Sequence, residues 1–452
     1  MVAKISATLT LFACCISGGI LGLPSIFASL SVAEAFSLTF ISYLTTMFSL
    51  MCLVTTSGVH PEITTYGNLV RWLGGETFER VVDLVLGLFL SGVLGGSFII
   101  IRDFAVDNFS TTGLADAATA LSACLVCALA MPESIGKLAA ASTFSVASFC
   151  FLVVTLVYYG VEALNDGNSV SDWDDYTASD DDTSGDERDT FSLKKMATSL
   201  PPIIYAFGCQ IQIFSIFYSV EDSRASISSR GGVGGLVSFL PVIIGACTLM
   251  IICFGCVGFF GVLSFPGKKI DGDVLNMLND KGNLGHAARG LLVFAVMLAA
   301  ALIVFPARNC LFSTFMHMLE KEGVGGEETA SSPREQTIRC LMTFLVCAIS
   351  STLAISQISF LSLLTILGAF VAAPLMIVLP GVALLKLLLL EDNEDEEDRN
   401  DREKGLLAVD IYSDKHKLSS KFRIFSVFIA SWCVVVGCVV FGANLTTDFF
   451  LK

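Results

Sequence analysis

The feature that most constrains this chain is a series of long apolar segments that recurs along almost its whole length. Eleven segments are long enough to cross a bilayer, which takes about 20 mostly apolar residues in a helix. They lie near residues 5–30, 33–56, 80–104, 114–131, 138–162, 196–219, 236–263, 288–316, 339–356, 359–390 and 423–446. In lipid, only helices and closed barrels satisfy their own backbone hydrogen bonds, and the sequence lacks the short alternating segments of a barrel. The pattern therefore predicts an all-helical integral membrane protein with 11 transmembrane helices.

The composition supports this interpretation. Charged residues make up 15% of the chain and hydrophobic residues 54%, whereas a soluble domain has about 25% charged residues. The first apolar segment is not a cleaved signal peptide, because its Gly18–Pro24 stretch offers no small-residue cleavage site and a second apolar segment follows directly. No long polar module separates the segments, so we expect one membrane domain embedded in the lipid bilayer.

Two acidic stretches carry much of the formal net charge of −15. They fall in the loops 163–192 and 391–421, and their charge density predicts disordered linkers. The alternative is that they attract cationic solutes or protons to a pore mouth. Neither has the ligand spacing of an EF-hand, so no calcium site is predicted. The acidic balance also argues against a nucleic-acid partner.

The basic residues indicate the orientation of the chain. Of the 27 lysines and arginines, 18 fall on the side of the N-terminus and 9 on the other. By the positive-inside rule, the N-terminus is cytosolic and the C-terminus faces outward or into a lumen. The glycosylation sequons at Asn108 and Asn444 fall on that outer side. The sequence fits both the plasma membrane and a vacuolar or lysosomal membrane.

The residues that commonly carry catalysis form no recognisable site. All 15 cysteines lie in predicted helices or at their ends, which predicts no disulfide framework. The four histidines are scattered, and the sequence has no zinc-protease motif, phosphate-binding loop or nucleophile elbow. We therefore expect neither an enzyme nor a bound cofactor or metal.

Two of the predicted spans contain residues that interrupt a helix near the middle of the membrane. The first reads ISGGILGLPSIF at residues 16–27, and the sixth reads SLPPIIYAFGCQIQIF at 199–214. Proline lacks an amide donor and glycine is a poor helix former. Peptide groups left unpaired in hydrocarbon cost several kcal/mol each. Such breaks are tolerated where the backbone faces a cavity or a ligand, although a single one is often only a kink.

The two broken spans stand five spans apart and enter the membrane from opposite sides, which is typical of two five-helix repeats of inverted topology. This predicts one transporter domain over residues 1–446. Its parts are a first repeat at 5–162, a second repeat at 196–390 and an extra C-terminal helix at 423–446. The substrate site of such a protein lies where the broken helices meet. Amides and carbonyls freed there suit the carboxylate and ammonium groups of an amino acid.

Several motifs along nearly the whole chain point to one family. They are GGILGLP at 18–24, TYGNL at 65–69, LPPIIYAFGCQ at 200–210, FGVLSFPGKKIDGDVLNML at 260–278, FPAR at 305–308 and LSLLTILGAFVAAPLMIVLPGVALL at 361–385. In their order and spacing the chain resembles the amino acid/auxin permease family of amino-acid transporters. The resemblance implies a leucine-transporter-like fold, with ten helices in two inverted repeats plus an eleventh.

The resemblance also implies the site residues. The broken first span maps on Ser17, Gly18, Gly19, Ile20, Leu21 and Gly22, which would bind the substrate carboxylate. The break in the sixth span maps on Tyr205, Ala206, Phe207 and Gly208. Phe207 would be a gate or a wall for the substrate side chain, with simple packing as the equal alternative. Ser91 and Ser97 of the third span are further candidates, but their spacing puts them on different helix faces.

The coupling ion is inferred from a difference between this chain and its sodium-coupled relatives. Sodium-coupled relatives use hydroxyl side chains in the eighth helix, whereas this chain reads VMLAAALIVFPAR at 296–308. A sodium site built from oxygen ligands would lose those side chains. We therefore expect sodium-independent transport that is proton-driven or facilitative. The acids in or near spans are Glu34, Asp83, Asp103 and Glu221. None is an obvious proton carrier, and interfacial snorkelling or placement at a helix end is the favoured explanation for each.

The broken segments contain no charged side chain, which favours neutral amino acids as substrates. Two other functions stay open. The chain could be a transceptor that senses amino acids with little flux and contacts cytosolic partners through its loop 391–421. A channel is disfavoured, because no span carries a row of polar side chains that could line a continuous pore.

Overall fold

The computed structural model describes residues 2–16, 18–109, 111–131, 139–166, 185–266, 268, 270, 272–321, 333–390 and 420–450. Within these ranges the regular structure is entirely helical. Ten helices are long and apolar enough to cross a membrane, and one bent pair near the N-terminus completes a set of 11. The predicted number of spans is therefore confirmed. Below, the side of the membrane that carries the N-terminus is called the inner side.

Eight of the spans are formed by one helical segment each, with a kink at Gly75 in the segment that contains span 3. They are span 2 (Val32–Val59), span 3 (Tyr66–Asn108), span 4 (Thr112–Ala130), span 5 (Ala139–Asn165), span 7 (Glu221–Leu263), span 8 (Gly282–Lys321), span 9 (Pro333–Ile355) and span 11 (Ser420–Phe450). Span 10 begins as an α-helix (Phe360–Leu367), widens into a π-helix (Gly368–Val378) and continues to residue 390. Spans 1 and 6 are each divided into two helical halves.

Local capping explains several helix starts. Span 2 begins with a capping box, in which the Ser31 side chain accepts from the Glu34 amide and the Glu34 carboxylate accepts from the Ser31 amide. The Thr65 side chain caps a short helix that precedes span 3. The two helices are joined at a kink at Gly75, whose φ of 78° is readily available only to glycine, so span 3 proper begins after Gly75.

The helices also reach into the loop that was expected at 163–192. Span 5 continues to Asn165 and the helix of span 6 begins at Gly185, since no proline or glycine interrupts residues 186–200. The expected disorder of residues 167–184 and of 391–419 concerns positions outside the described residues.

The outer surface of the bundle is apolar, as a lipid-facing surface should be. Large side chains such as Leu121, Val154, Phe344 and Ile424 are all more than 60% exposed. A soluble protein would bury most of them, because each exposes apolar area to water. The exposed and buried faces together fit a bundle whose solvent is hydrocarbon.

Glycines allow several helices to approach at backbone distance. A methyl carbon built on Gly261 of span 7 would lie 2.5 Å from Cγ of Pro24, and one on Gly258 would lie 2.7 Å from the Phe27 ring. A methyl carbon on Gly368 of span 10 would overlap the carbonyl oxygen of Pro201 in span 6. Small residues are the usual means of close helix contact in membranes. They hold the outer half of span 1 against span 7, and span 10 against span 6.

We predict that Gly368→Ala destabilises the protein by about 2 kcal/mol or more, because the new methyl group meets the Pro201 backbone, which cannot rotate away. The matched control is Gly290→Ala in span 8, where nothing lies within 4 Å of the added carbon. That change should be neutral or stabilising by up to ~1 kcal/mol through helix propensity. Thermal unfolding of the two purified variants in detergent checks the pair. Equal melting temperatures would contradict the packing described here.

Candidate functional site

The first span is broken at the predicted place. Its inner half is the helix Val2–Cys15, followed by a 3-10 turn at Gly18–Gly22 and the outer helix Leu23–Ala28. The two halves meet at an angle of 59°. All five residues of the 3-10 turn are buried inside the protein, which satisfies the requirement that irregular backbone stays away from lipid. Ser17 lies outside the described residues.

The sixth span is broken at Phe207–Cys209. The outer helix ends at Ala206, the Gly208 amide donates to the Tyr205 carbonyl at 3.0 Å, and a 3-10 turn at Gln210–Gln212 leads into the inner helix Ile213–Ser219. Pro201 and Pro202 lie near the outer start of the apolar part of this span, which begins at Lys195. Both lie inside the helix, so the interruption depends on the residues that follow Ala206.

The two breaks are in direct contact. A methyl carbon built on Gly19 would lie 2.7 Å from Cδ1 of Tyr205 and 3.1 Å from Cα of Ala206. Glycine at position 19 therefore lets the Tyr205 ring lie against the main chain of span 1. On its other side, this ring meets Phe89 of span 3 edge to face at 6.1 Å. Tyr205 thus occupies the space between the two broken segments in this conformation.

Other predicted site residues line the surroundings of span 1. A methyl carbon built on Gly18 would lie 3.0 Å from the Phe360 ring and 3.1 Å from Cδ1 of Ile100. Gly22 lies under Leu364 of span 10, and Ile20 and Leu21 are fully buried. The break is therefore covered by spans 3 and 10, and its nearest side chains are apolar.

Phe207 points away from Gly19. Its ring is buried and meets Phe254 of span 7 at 4.9 Å, near edge to face. This is a packing contact in the present conformation, and the gating role stays a prediction. Ser91 and Ser97 bond main-chain oxygens of their own helix, at Gly87 and Val93, so both hydroxyls already have partners.

The π-helix of span 10 is a part of the site that the sequence did not predict. Its wider turn presents two carbonyls to neighbouring side chains, since Tyr66 donates to Leu375 and Ser49 donates to Met376 at 2.5 Å. The Met376 sulfur lies 3.1 Å from where a methyl carbon on Gly208 would be, so this segment packs on the break in span 6. π-Helical turns are often found at functional sites. Pro374 within an apolar run was the available signal.

The region that supplies hydroxyl ligands in sodium-coupled relatives is apolar here. Ala300 and Ala301 of span 8 are buried, and the carbonyl of Ala295 accepts from Ser145 of span 5 at 3.3 Å. Among the described residues, no group of three or more His, Cys, Asp or Glu side chains could hold a metal ion. All 15 cysteines are unpaired with respect to disulfides.

The candidate acids differ in their surroundings. Glu34 caps span 2, as described above, and Asp83 is half-buried on the inner part of span 3, bonded to Ser313 of span 8. The main chain of Asp103 accepts from Arg289 at 3.5 Å. The side chain of Glu221 lies outside the described part of the structure.

The two glycosylation candidates also differ. Asn108 is exposed at the outer end of span 3, bonded to the Phe104 carbonyl at 2.7 Å. Asn444 is only 1% exposed within the helix of span 11, bonded to the Val440 carbonyl. A glycan needs an accessible asparagine in a loop, so the structure argues against modification at Asn444. Asn108 stays a prediction.

Comparisons with known proteins agree with this architecture. The sequence profile of the family described as "Transmembrane amino acid transporter protein" matches residues 3–398. In fold, the chain is similar to a mutant of the Eremococcus coleocola manganese transporter, with a TM-score of 0.55 and 12% identity over 99% of this chain and 88% of that one. It is also similar to Mhp1, a nucleobase-cation-symport-1 family transporter, with a TM-score of 0.56 and 11% identity over 99% and 94%. No curated protein gives a significant match.

At such low sequence identity, the two solved structures support conclusions about the fold only. They confirm the leucine-transporter-like architecture that the two broken spans predicted. The second of them was solved in a closed conformation with bromovinylhydantoin bound.

We predict that the contact between the two breaks appears as an energetic coupling. Gly19→Ala should lower the free energy of unfolding by about 1–3 kcal/mol, because the methyl group meets the Tyr205 ring. In the double variant with Tyr205→Ala, that penalty should fall below ~0.5 kcal/mol. A double-mutant cycle on thermal unfolding measures the coupling. Additive effects would mean that the two breaks are not in contact.

Proposed function

Because the chain belongs to the transmembrane amino acid transporter family, we propose that it transports neutral amino acids by alternating access around broken spans 1 and 6. The observation that carries this proposal is the direct contact of Gly19 with Tyr205 and Ala206. Two interrupted helices from opposite repeats meet there, and this is where transporters of the fold hold their substrates.

The chemistry of the breaks suits a zwitterion. In our proposal, main-chain amides of Gly18–Gly22 bind the substrate carboxylate, since helix amides with free hydrogens attract anions. Main-chain carbonyls around Tyr205–Gly208 accept from the ammonium group. The protein then binds both charges of an amino acid without a charged side chain of its own.

The walls favour a neutral substrate side chain. Phe89, Ile100 and Phe360 contact the broken segments, and an isolated charge against such apolar groups would be strongly disfavoured. A cationic or anionic substrate would require a compensating charge, and the segments Gly18–Gly22 and Tyr205–Gly208 supply none.

Transport requires Tyr205 to move. In the conformation described, its ring lies against Gly19 and occupies the space that we assign to the substrate. The outer half of span 1 is held by Pro24 and Phe27 against glycines of span 7. We therefore infer that a substrate displaces the Tyr205 ring, and that the unwound segments act as the hinges of the change.

We predict that Gly19→Leu abolishes uptake by the protein that folds and is reconstituted, because the larger side chain fills the space that we assign to the substrate. The control is Gly442→Leu in span 11, where nothing lies within 4 Å of an added carbon. Uptake into proteoliposomes, normalised to the reconstituted protein, is the measurement. Normal uptake by Gly19→Leu would place the substrate elsewhere.

We also propose that transport does not depend on sodium, since the buried alanines of span 8 offer no side-chain oxygen ligand. Uptake of a labelled neutral amino acid should be unchanged when choline replaces sodium outside the proteoliposomes. A pH gradient imposed at constant sodium decides between the proton-driven and the facilitative forms. A drop of tenfold or more without sodium would overturn the proposal of sodium independence.

A further inference from the structure

A buried glutamine follows the break in span 6 and has no assigned role. Gln210 is the first residue of the 3-10 turn and is 1% exposed. Its amide oxygen Oε1 is completely buried and accepts no hydrogen bond from the described part of the chain. Gln212, two residues later, differs in both respects. It is exposed, and its Oε1 accepts from the Cys14 thiol at 3.1 Å.

The turn that carries Gln210 lies against span 2. Further inside, Tyr218 of span 6 and Ser57 of span 2 share a hydrogen bond of 2.8 Å. Spans 2 and 6 run in the same direction, from the outer to the inner side, so Gln210 lies on the outer side of this hydrogen bond.

On span 2, the Ser49 hydroxyl donates to the Met376 carbonyl at 2.5 Å, and the Met376 sulfur packs against Gly208. Gln210 is thus at the inner edge of the break that we assign to the substrate. A buried amide oxygen without a donor is destabilising and rare in folded proteins. When such an atom lies beside a binding site, it indicates that the ligand supplies the missing hydrogen-bond donor.

We infer that Gln210 is a specificity-determining residue whose Oε1 accepts a hydrogen bond from the side chain of the substrate. The class of substrate is a neutral amino acid with a hydroxyl or carboxamide donor. We have assigned the substrate's ammonium group to the main-chain carbonyls at Tyr205–Gly208, so it is less well placed than the substrate side chain to donate to Gln210. This inference rests on the proposed function and adds a preference to it.

The expected effect follows from the cost of an unpaired group. An aliphatic amino acid leaves Oε1 buried without a donor, whereas a carboxamide pairs with it. Sites built to hydrogen-bond a substrate discriminate against analogues that lack the donor. For one hydrogen bond between neutral groups, we expect a preference of about 5- to 10-fold.

The test compares L-glutamine with L-methionine, which are similar in length and shape but differ in hydrogen-bond donors. Their inhibition constants are measured against uptake of labelled L-alanine into proteoliposomes. Gln210→Met should lower the preference for glutamine about 5- to 10-fold relative to the wild-type protein, with methionine bound at least as well. Gln212→Met, the matched control on the exposed neighbour, should keep the wild-type ratio.

A second variant keeps the inference testable if Gln210→Met does not fold. Gln210→Glu retains an acceptor oxygen and adds a negative charge at the same place. It should make L-lysine a competitor at least tenfold better than with the wild-type protein, since a charge-assisted hydrogen bond becomes available. Lysine inhibition that stays at the wild-type level would overturn the inference.

Two further results would also overturn it. One is an unchanged ratio of glutamine to methionine in Gln210→Met. The other is an equal loss of affinity for both amino acids, which would assign Gln210 to the shared ammonium group or to the structure alone. Failure of the proposed function looks different. In that case the wild-type protein takes up none of the amino acids in a panel of labelled neutral substrates.

Discussion

Everything in this structure depends on how main-chain peptide groups are satisfied where two membrane helices are interrupted. In hydrocarbon, an unpaired amide or carbonyl costs several kcal/mol. Spans 1 and 6 nevertheless leave the α-helix at Gly18–Gly22 and at Phe207–Cys209. Both breaks are buried inside the bundle and lie against each other through Gly19 and Tyr205. The protein thereby keeps irregular backbone away from lipid and concentrates polar groups at one place.

The surrounding helices hold this arrangement in position by close contact. Span 7 brings glycines under Pro24 and Phe27, and span 10 brings Gly368 against the backbone of Pro201. Span 10 also departs from the α-helix, and the carbonyls of its π-segment accept from Tyr66 and Ser49. Each irregular segment therefore has partners from at least one other span.

The sequence predicted the parts of the fold that depend on local chemistry. The apolar length of the segments predicted the number of spans, and the glycines and Pro24 at 18–24 and Gly208 in the sixth span marked the breaks. The helical extension of span 6 back to Gly185 was not predicted, and the contact of Gly368 with Pro201 joins residues more than 160 positions apart. The π-segment and the burial of Asn444 were missed for the same reason. The contact between Gly19 and Tyr205 also arises only when the helices pack.

A cryo-electron microscopy structure of the protein with a transported amino acid bound would show directly where the substrate lies. We expect its carboxylate within hydrogen-bond distance of the Gly18–Gly22 amides and the Tyr205 ring displaced from Gly19. An amino acid bound away from both breaks, or spans 1 and 6 running as uninterrupted helices, would contradict this expectation.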